Sequence, residues 1–121
     1  MKYDPKIVTE WFKENGIPEP TYEYKFHSVR RWKMDIAWPE QKVFLEVQGG
    51  IFVNGRHSRG AAMLKEWDKV NAASCMGWRI LYCQPKDVCT IDMVDVIKTA
   101  LNQHRRRDGC GINWAVSKGE S

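Results

Sequence analysis

The sequence predicts an α/β domain, a mixed sheet with helices packed on it. Three observations lead there. A helix-spaced run near the N-terminus stops at Asn15-Gly16, and Pro18 and Pro20 prevent it from resuming. Three runs of strand character then follow across short connections. A second helical run passes straight into a fourth strand-like run, and strand–helix–strand is the order that joins parallel strands through a crossover. The expected order is α-β-β-β-α-β-α.

Each element has a local reason. Asp4 is a good N-cap, Pro5 suits the first helical position, and Ile7, Val8, Trp11 and Phe12 recur at helical spacing. Tyr22-Glu23-Tyr24-Lys25-Phe26 alternates aromatic and charged, which predicts a strand with one wet face. In the next run Trp32, Met34, Ile36 and Trp38 fall on one face and Lys33, Asp35 and Ala37 on the other. Pro39-Glu40-Gln41 turns the chain. Val43, Leu45 and Val47 share a face of the third strand, while Phe44, Glu46 and Gln48 point opposite. From Ala61 the spacing is helical, with Met63, Trp67, Val70 and Ala73 or Ser74 along one face, until Met76-Gly77. Trp78-Arg79-Ile80-Leu81-Tyr82-Cys83 is short and apolar enough for a central strand. Pro85 breaks the chain, and Thr90 caps a last helix through Ile91, Val94, Ile97 and Leu101. His104, Arg105, Arg106 and Arg107 close that helix, where positive charge suits the dipole better than it argues for a DNA contact. Residues 1–107 form the expected single domain, and 108–121 reads as a flexible C-terminal tail in which Ile112 and Trp114 can still dock.

Bulk composition narrows the class. The chain has 121 residues, 43% hydrophobic and 28% charged, which fits one modest core and excludes a disordered chain. A formal net charge of +4 favours a polyanionic partner, weakly. Six Trp and four Tyr exceed what a core this size needs, so some are available to stack on bases or sugars. Cys75, Cys83, Cys89 and Cys110 form no CxxC pair, which argues against zinc, and Cys75 and Cys83 are expected as small buried hydrophobes. No opening run has the features of a signal peptide and no apolar stretch spans a bilayer, so the expectation is a reducing cytoplasm and no membrane partner.

Two acids interrupt core-forming runs: Asp35 in the second strand and Glu46 in the third. A turn centred between Glu40 and Gln41 pairs Trp38 with Val43 and sets Asp35 opposite Glu46. Directly opposed side chains sit about 5 Å apart at Cβ. Like charges that close repel unless a cation, a proton or strong hydrogen bonds intervene. A register slip of one residue would send them to opposite faces. Mg²⁺ prefers hard oxygen ligands and needs only one or two carboxylates, so Asp35, Glu46 and the backbone carbonyl of Val47 are the candidate metal ligands, with Gln48 placed to orient a water. The plain alternative is a polar sheet face, with Lys33 pairing with Glu46 and Lys42 with another acid. The basic Gly-rich segment 54–60 follows, expected as a loop. There Arg56 and Arg59 are candidate phosphate contacts, and His57 is a candidate acid–base group or phosphate contact, or simply a solvated histidine. Arg30, Arg31 and Lys33 extend that patch.

The phrases Arg30-Arg31-Trp32-Lys33-Met34-Asp35-Ile36-Ala37-Trp38-Pro39, Leu45-Glu46-Val47-Gln48-Gly49-Gly50, Gly55-Arg56-His57-Ser58-Arg59-Gly60 and Gly77-Trp78-Arg79-Ile80-Leu81 carry a resemblance. Over about half of the chain the sequence resembles the PD-(D/E)XK nuclease superfamily, and within it small phage- and prophage-type endonucleases related to Holliday-junction resolvases and mismatch-patch nucleases. The resemblance implies a restriction-endonuclease-like α-β-β-β-α-β core with a mixed central sheet flanked by helices. It also implies a Mg²⁺-dependent deoxyribonuclease, with Mn²⁺ a possible substitute, in the host cytoplasm if phage-encoded. The superfamily usually carries Lys where Gln48 stands, and Gln brings no charge. Lys69 on the following helix is the first candidate for a relocated lysine, and Lys65 the second. The family often adds another acid from its first helix or strand, for which Glu23 and Glu10 are the candidates. The leading expectation is an endonuclease acting on DNA, branched or structured DNA included, with a homodimer as one way to wrap a duplex. The rivals are a nucleic-acid-binding module that kept this fold but not its cutting, and a protein-interaction role for the Trp residues.

Overall fold

The computed structural model describes the backbone of residues 3–49 and 59–110, and their side chains except those of 59, 61, 62 and 103–110. Helix α1 (Pro5–Glu14) leads into strands β1 (Thr21–Lys25), β2 (Lys33–Trp38) and β3 (Val43–Val47). Helix α2 (Arg59–Cys75), strand β4 (Arg79–Cys83), a short 3-10 turn at Pro85–Asp87 and helix α3 (Ile91–Cys110) complete the order. The protein is α/β, as expected. Its four-stranded mixed sheet has the order β1-β2-β3-β4, antiparallel except for the parallel β3–β4 pair that α2 joins.

The punctuation acts as the sequence indicated. The Asp4 carboxylate accepts from the Lys6 amide at 2.9 Å, and Gly16 (φ +77°) and Gly77 (φ +89°) take the left-handed conformation that stops α1 and α2. The Thr90 hydroxyl accepts from the Met93 amide at 3.2 Å, capping α3. That helix reaches Cys110, three residues into the segment read as a tail.

Two cores lie on the two faces of the sheet. On one face α1 and α3 bring Val8, Phe12, Val94 and Ile97 against Ile36, Trp38, Val43, Leu45 and Val47. On the other, Ala73 of α2 and Trp78 meet Met34, Ala37 and Phe44. β3 alternates between these cores without a fault. β2 does not, because Met34 belongs to the α2 side while Ile36 and Trp38 belong to the α1/α3 side. β1 breaks in the same way, with Tyr22 packed against the first core and Tyr24 against the second. Both faults fall at one level. Glu23, at φ 53°, lies in the register between Tyr22↔Ile36 and Tyr24↔Met34, which puts it opposite Asp35. The expectation that Trp32, Met34, Ile36 and Trp38 share a face is therefore corrected. The left-handed backbone at Glu23 interrupts the alternation of β1, and β2, paired with it, changes faces at the same level.

Three further expectations change. β4 is an edge strand among the described residues, not a central one, and only partly buried. Cys75 is exposed rather than buried, and Cys83 is only half-buried, packed against the α1/α3-side core. α2 is rotated about its axis: Met63, Leu64 and Trp67 face solvent, while Lys69 and Ala73 are buried and Glu66 and Val70 half-buried. No helix among the described residues is long and apolar enough to cross a membrane.

The rotation is measurable. Trp67→Ala should change unfolding free energy by less than about 1 kcal/mol, as at other surface positions. Phe44→Ala, deleting a fully buried ring of the α2-side core, should cost about 3 to 5 kcal/mol. Urea denaturation of the two variants checks this. A Trp67 loss as large as that of Phe44 would return Trp67 to the core.

Candidate functional site

β2 and β3 pair with Trp38 opposite Val43 and Ile36 opposite Leu45, the register expected from the turn. Its continuation sets Asp35 opposite Glu46. Instead of another ladder rung, side chains bridge the strands here. The Val47 amide donates to Asp35 Oδ2 at 2.8 Å, and the Asp35 amide donates to Glu46 Oε2 at 3.3 Å. Each carboxylate is thus held by the main chain of the opposite strand. Backbone N–H groups neutralise part of the repulsion that two opposed acids would otherwise suffer.

The rest of the compensation comes from α2. Glu46 shares a face with Phe44, so its carboxylate enters the α2-side core, where it is only 3% exposed. Lys69, itself buried, places its ammonium 2.9 Å from Glu46 Oε2 and donates to the Lys33 carbonyl at 2.9 Å. Glu66, one turn earlier on α2, has Oε1 3.8 Å from the same ammonium. Glu66 Oε2 is buried and finds no hydrogen-bond partner among the described residues.

Burial dominates the electrostatics. It pushes the Glu46 carboxyl up to about 7, against the pull of Lys69 and with added repulsion from Asp35 and Glu66. Two tyrosines flank the site. The Tyr3 hydroxyl donates to the Asp35 carbonyl at 3.3 Å, and burial, then Asp35, Glu23, Tyr22 and Glu46, push its phenol up and keep its proton on. Tyr82 lies beside Glu46 in the β3–β4 register, and burial, then Glu66 and Glu46, raise it as well.

The sequence-selected residues divide clearly. Asp35, Glu46 and Lys69 come together. Gln48 is half-buried on the Glu46 face; its amide N–H donates to the Cys83 carbonyl at 2.8 Å, while its side chain makes no hydrogen bond among the described residues. Lys65 is exposed on α2, and Glu10 is exposed on α1 without an ion pair among the described residues. Glu23 stands opposite Asp35 but directs Oε1 to Lys33 Nζ, 3.9 Å away. Lys33 therefore does not take the Glu46 partnership, and Lys42 donates to the Met76 carbonyl at 2.8 Å rather than pairing with an acid. Arg30 and Arg31 are exposed between β1 and β2, and the Arg30 guanidinium stacks 4.2 Å over the Trp32 ring. Arg56 and His57 lie outside the described residues. Arg59 is described only as the first backbone position of α2, so the helix begins two residues earlier than expected.

Glu66, Tyr3 and Tyr82 escaped the sequence reading. The signal for Glu66 was its i−3 spacing from Lys69, which puts both on one helix face. Among the described residues, no three His, Cys, Asp or Glu side chains converge as a metal cluster. Asp35 and Glu46 offer two carboxylates, hard ligands of the kind that Mg²⁺ with its retained waters takes more readily than zinc does. No protein-family model, curated protein or solved structure matches this chain.

The raised Glu46 carboxyl has a pH consequence. With its ordinary value of 4.5 unfolded and about 7 folded, Glu46 takes up a proton on folding between those values. Its contribution is fully present below the lower value and is lost as pH rises through the upper one, about 1 to 3 kcal/mol in all. Glu46→Gln should flatten that part of the stability–pH curve, followed by chemical denaturation at a series of pH values. A wild-type contribution that grows with pH would mean that Lys69 outweighs burial.

Proposed function

We propose that this chain is a small divalent-metal-dependent endonuclease that hydrolyses phosphodiester bonds in DNA, with branched or structured DNA among its candidate substrates. The reading includes a restriction-endonuclease-like core of the PD-(D/E)XK type. One observation carries it: Asp35 and Glu46 are fixed to each other's strands at a single level of the sheet, with the buried ammonium of Lys69 beside them. A polar sheet face needs no such arrangement, because exposed acids are compensated by water.

The fit to a metal rests on that donor set. Asp35 and Glu46 would hold Mg²⁺, with the Val47 carbonyl as a third oxygen. Bound there, Mg²⁺ supplies Lewis acidity toward the phosphate and lowers the pKa of a coordinated water. The chain's own groups do the remainder. Lys69 provides the positive charge that Gln48 lacks, and the uncharged Gln48 amide orients the attacking water by hydrogen bonding. Arg30, whose guanidinium lies over the Trp32 ring, and the neighbouring Arg31 contact the phosphate backbone. The tyrosine hydroxyls keep their protons, so they can donate but do not add negative charge.

A second reading has its own support. Lys69 already meets Glu46 at 2.9 Å, so this carboxylate has a cationic partner without a divalent ion, as it would in a DNA-binding module that has stopped cutting. Cleavage of plasmid, duplex and four-way-junction DNA in Mg²⁺ or Mn²⁺ separates the two. The endonuclease loses at least about 100-fold in rate in Asp35→Asn and in Glu46→Gln. Binding without cleavage by the wild type, unchanged in Asp35→Ala, selects the module. In either case Arg30→Ala should lower the slope of log affinity against log salt by about 1, measured by fluorescence anisotropy.

A further inference from the structure

The Lys69 ammonium has three oxygens around it and hydrogen-bonds two of them. Glu46 Oε2 and the Lys33 carbonyl are at 2.9 Å, while Glu66 Oε1 waits at 3.8 Å. Glu66 is an odd residue for its place. Its side chain is 27% exposed, yet Oε2 is buried with no donor among the described residues. A buried acceptor without a partner costs about 1 to 3 kcal/mol. A surface i,i+3 ion pair would turn its spare oxygen to water. Glu66 instead keeps it inside, where its charge repels Glu46. Among the described residues, Glu66 thus has a buried oxygen without a donor and adds like charge beside Glu46.

Both features have a use if the ammonium has two positions. A divalent cation held by Asp35 and Glu46 would repel the ammonium and compete with it for Glu46 Oε2. Were Lys69 fixed, entry of the cation would leave a buried ammonium without its counter-charge, an expensive outcome. The lysine stem is flexible, and a movement of about 1 Å closes the Glu66 distance to that of a charge-assisted hydrogen bond. We propose that Glu66 is a positioning residue, a second seat that receives the Lys69 ammonium when a divalent cation takes its place on Glu46. Glu66 does not touch the cation. This inference rests on the metal-site reading above and adds a residue that acts through Lys69.

Mg²⁺ titration calorimetry on the full chain without DNA tests it, in wild type, Glu66→Gln, Lys69→Met and the double variant. Glu66→Gln should weaken Mg²⁺ binding by about tenfold, the usual scale for a group behind a metal ligand. The effect should vanish in the Lys69→Met background. An unchanged affinity in Glu66→Gln overturns the proposal, and so does an equal loss with and without Lys69, which would make Glu66 a direct ligand. A second measurement does not need Lys69→Met to fold. The ¹⁵N signal of the Lys69 ammonium should persist and shift with saturating Mg²⁺ in the wild type, and be lost to fast proton exchange in Glu66→Gln. A signal that ignores Mg²⁺ overturns the proposal. Failure of every variant and the wild type to bind Mg²⁺ overturns the metal-site reading together with it, whereas Mg²⁺ binding that is indifferent to Glu66 removes this inference alone.

Discussion

A carboxylate in the middle of an apolar strand must be compensated, and the contact between Glu46 and Lys69 is the interaction around which this protein is arranged. Neither group reaches water freely, and they meet at 2.9 Å. Taking both out of solvent costs several kcal/mol per ion before any attraction is counted, and well-packed hydrophobes often do as well or better. Stability alone is therefore a poor reason for the pair. The fold even falls short of a fully settled ion pair, since burial still drives the Glu46 carboxyl upward past the pull of its partner. A buried carboxyl whose hold on its proton is strengthened in this way is what sites of binding and catalysis tend to show.

The geometry around the pair follows from a fault in the sheet. Had β1 and β2 kept their alternation, Asp35 would sit on a regular ladder with its main chain paired in the ordinary way. The left-handed Glu23 and the switch of Met34 to the α2 side remove that regularity at one level. The Asp35 carboxylate then takes the Val47 amide for itself, and Glu46 takes the amide of Asp35. A sparsely populated backbone conformation costs about 1 to 3 kcal/mol and persists only where the surroundings over-determine it. Its position directly across from the paired acids ties that cost to the site rather than to a turn.

Much of this was legible in the sequence, for identifiable reasons. The hairpin register followed from the turn centred between Glu40 and Gln41, which pairs Trp38 with Val43. The caps at Asp4, Gly16, Gly77 and Thr90 depend on local chemistry and so were read locally. The failures concern tertiary choices. Apolar spacing selected Met63 and Trp67 for the buried face of α2, but the sheet opposite presents Glu46, and a helix facing a buried acid needs Lys69 inward more than it needs Trp67 there. Glu66 was missed for the same reason, since an acid on a helix is ordinarily assigned to solvent. Strand β4 was misjudged because a short apolar run is equally consistent with a central strand and with an edge strand covered by helices.

Position 48 carries an uncharged Gln, and the cation that meets Glu46 is Lys69 of α2. A lysine at position 48 would follow directly on the end of β3. Lys69 approaches the same carboxylate from the helix layer above. The element that carries the charge sets its freedom. A strand lysine is tied to the same rigid backbone as the acid it serves. A helix lysine with a second acid one turn away has somewhere to go. The ammonium thus stands between carboxylates carried by two different elements, Glu46 on the sheet and Glu66 on α2.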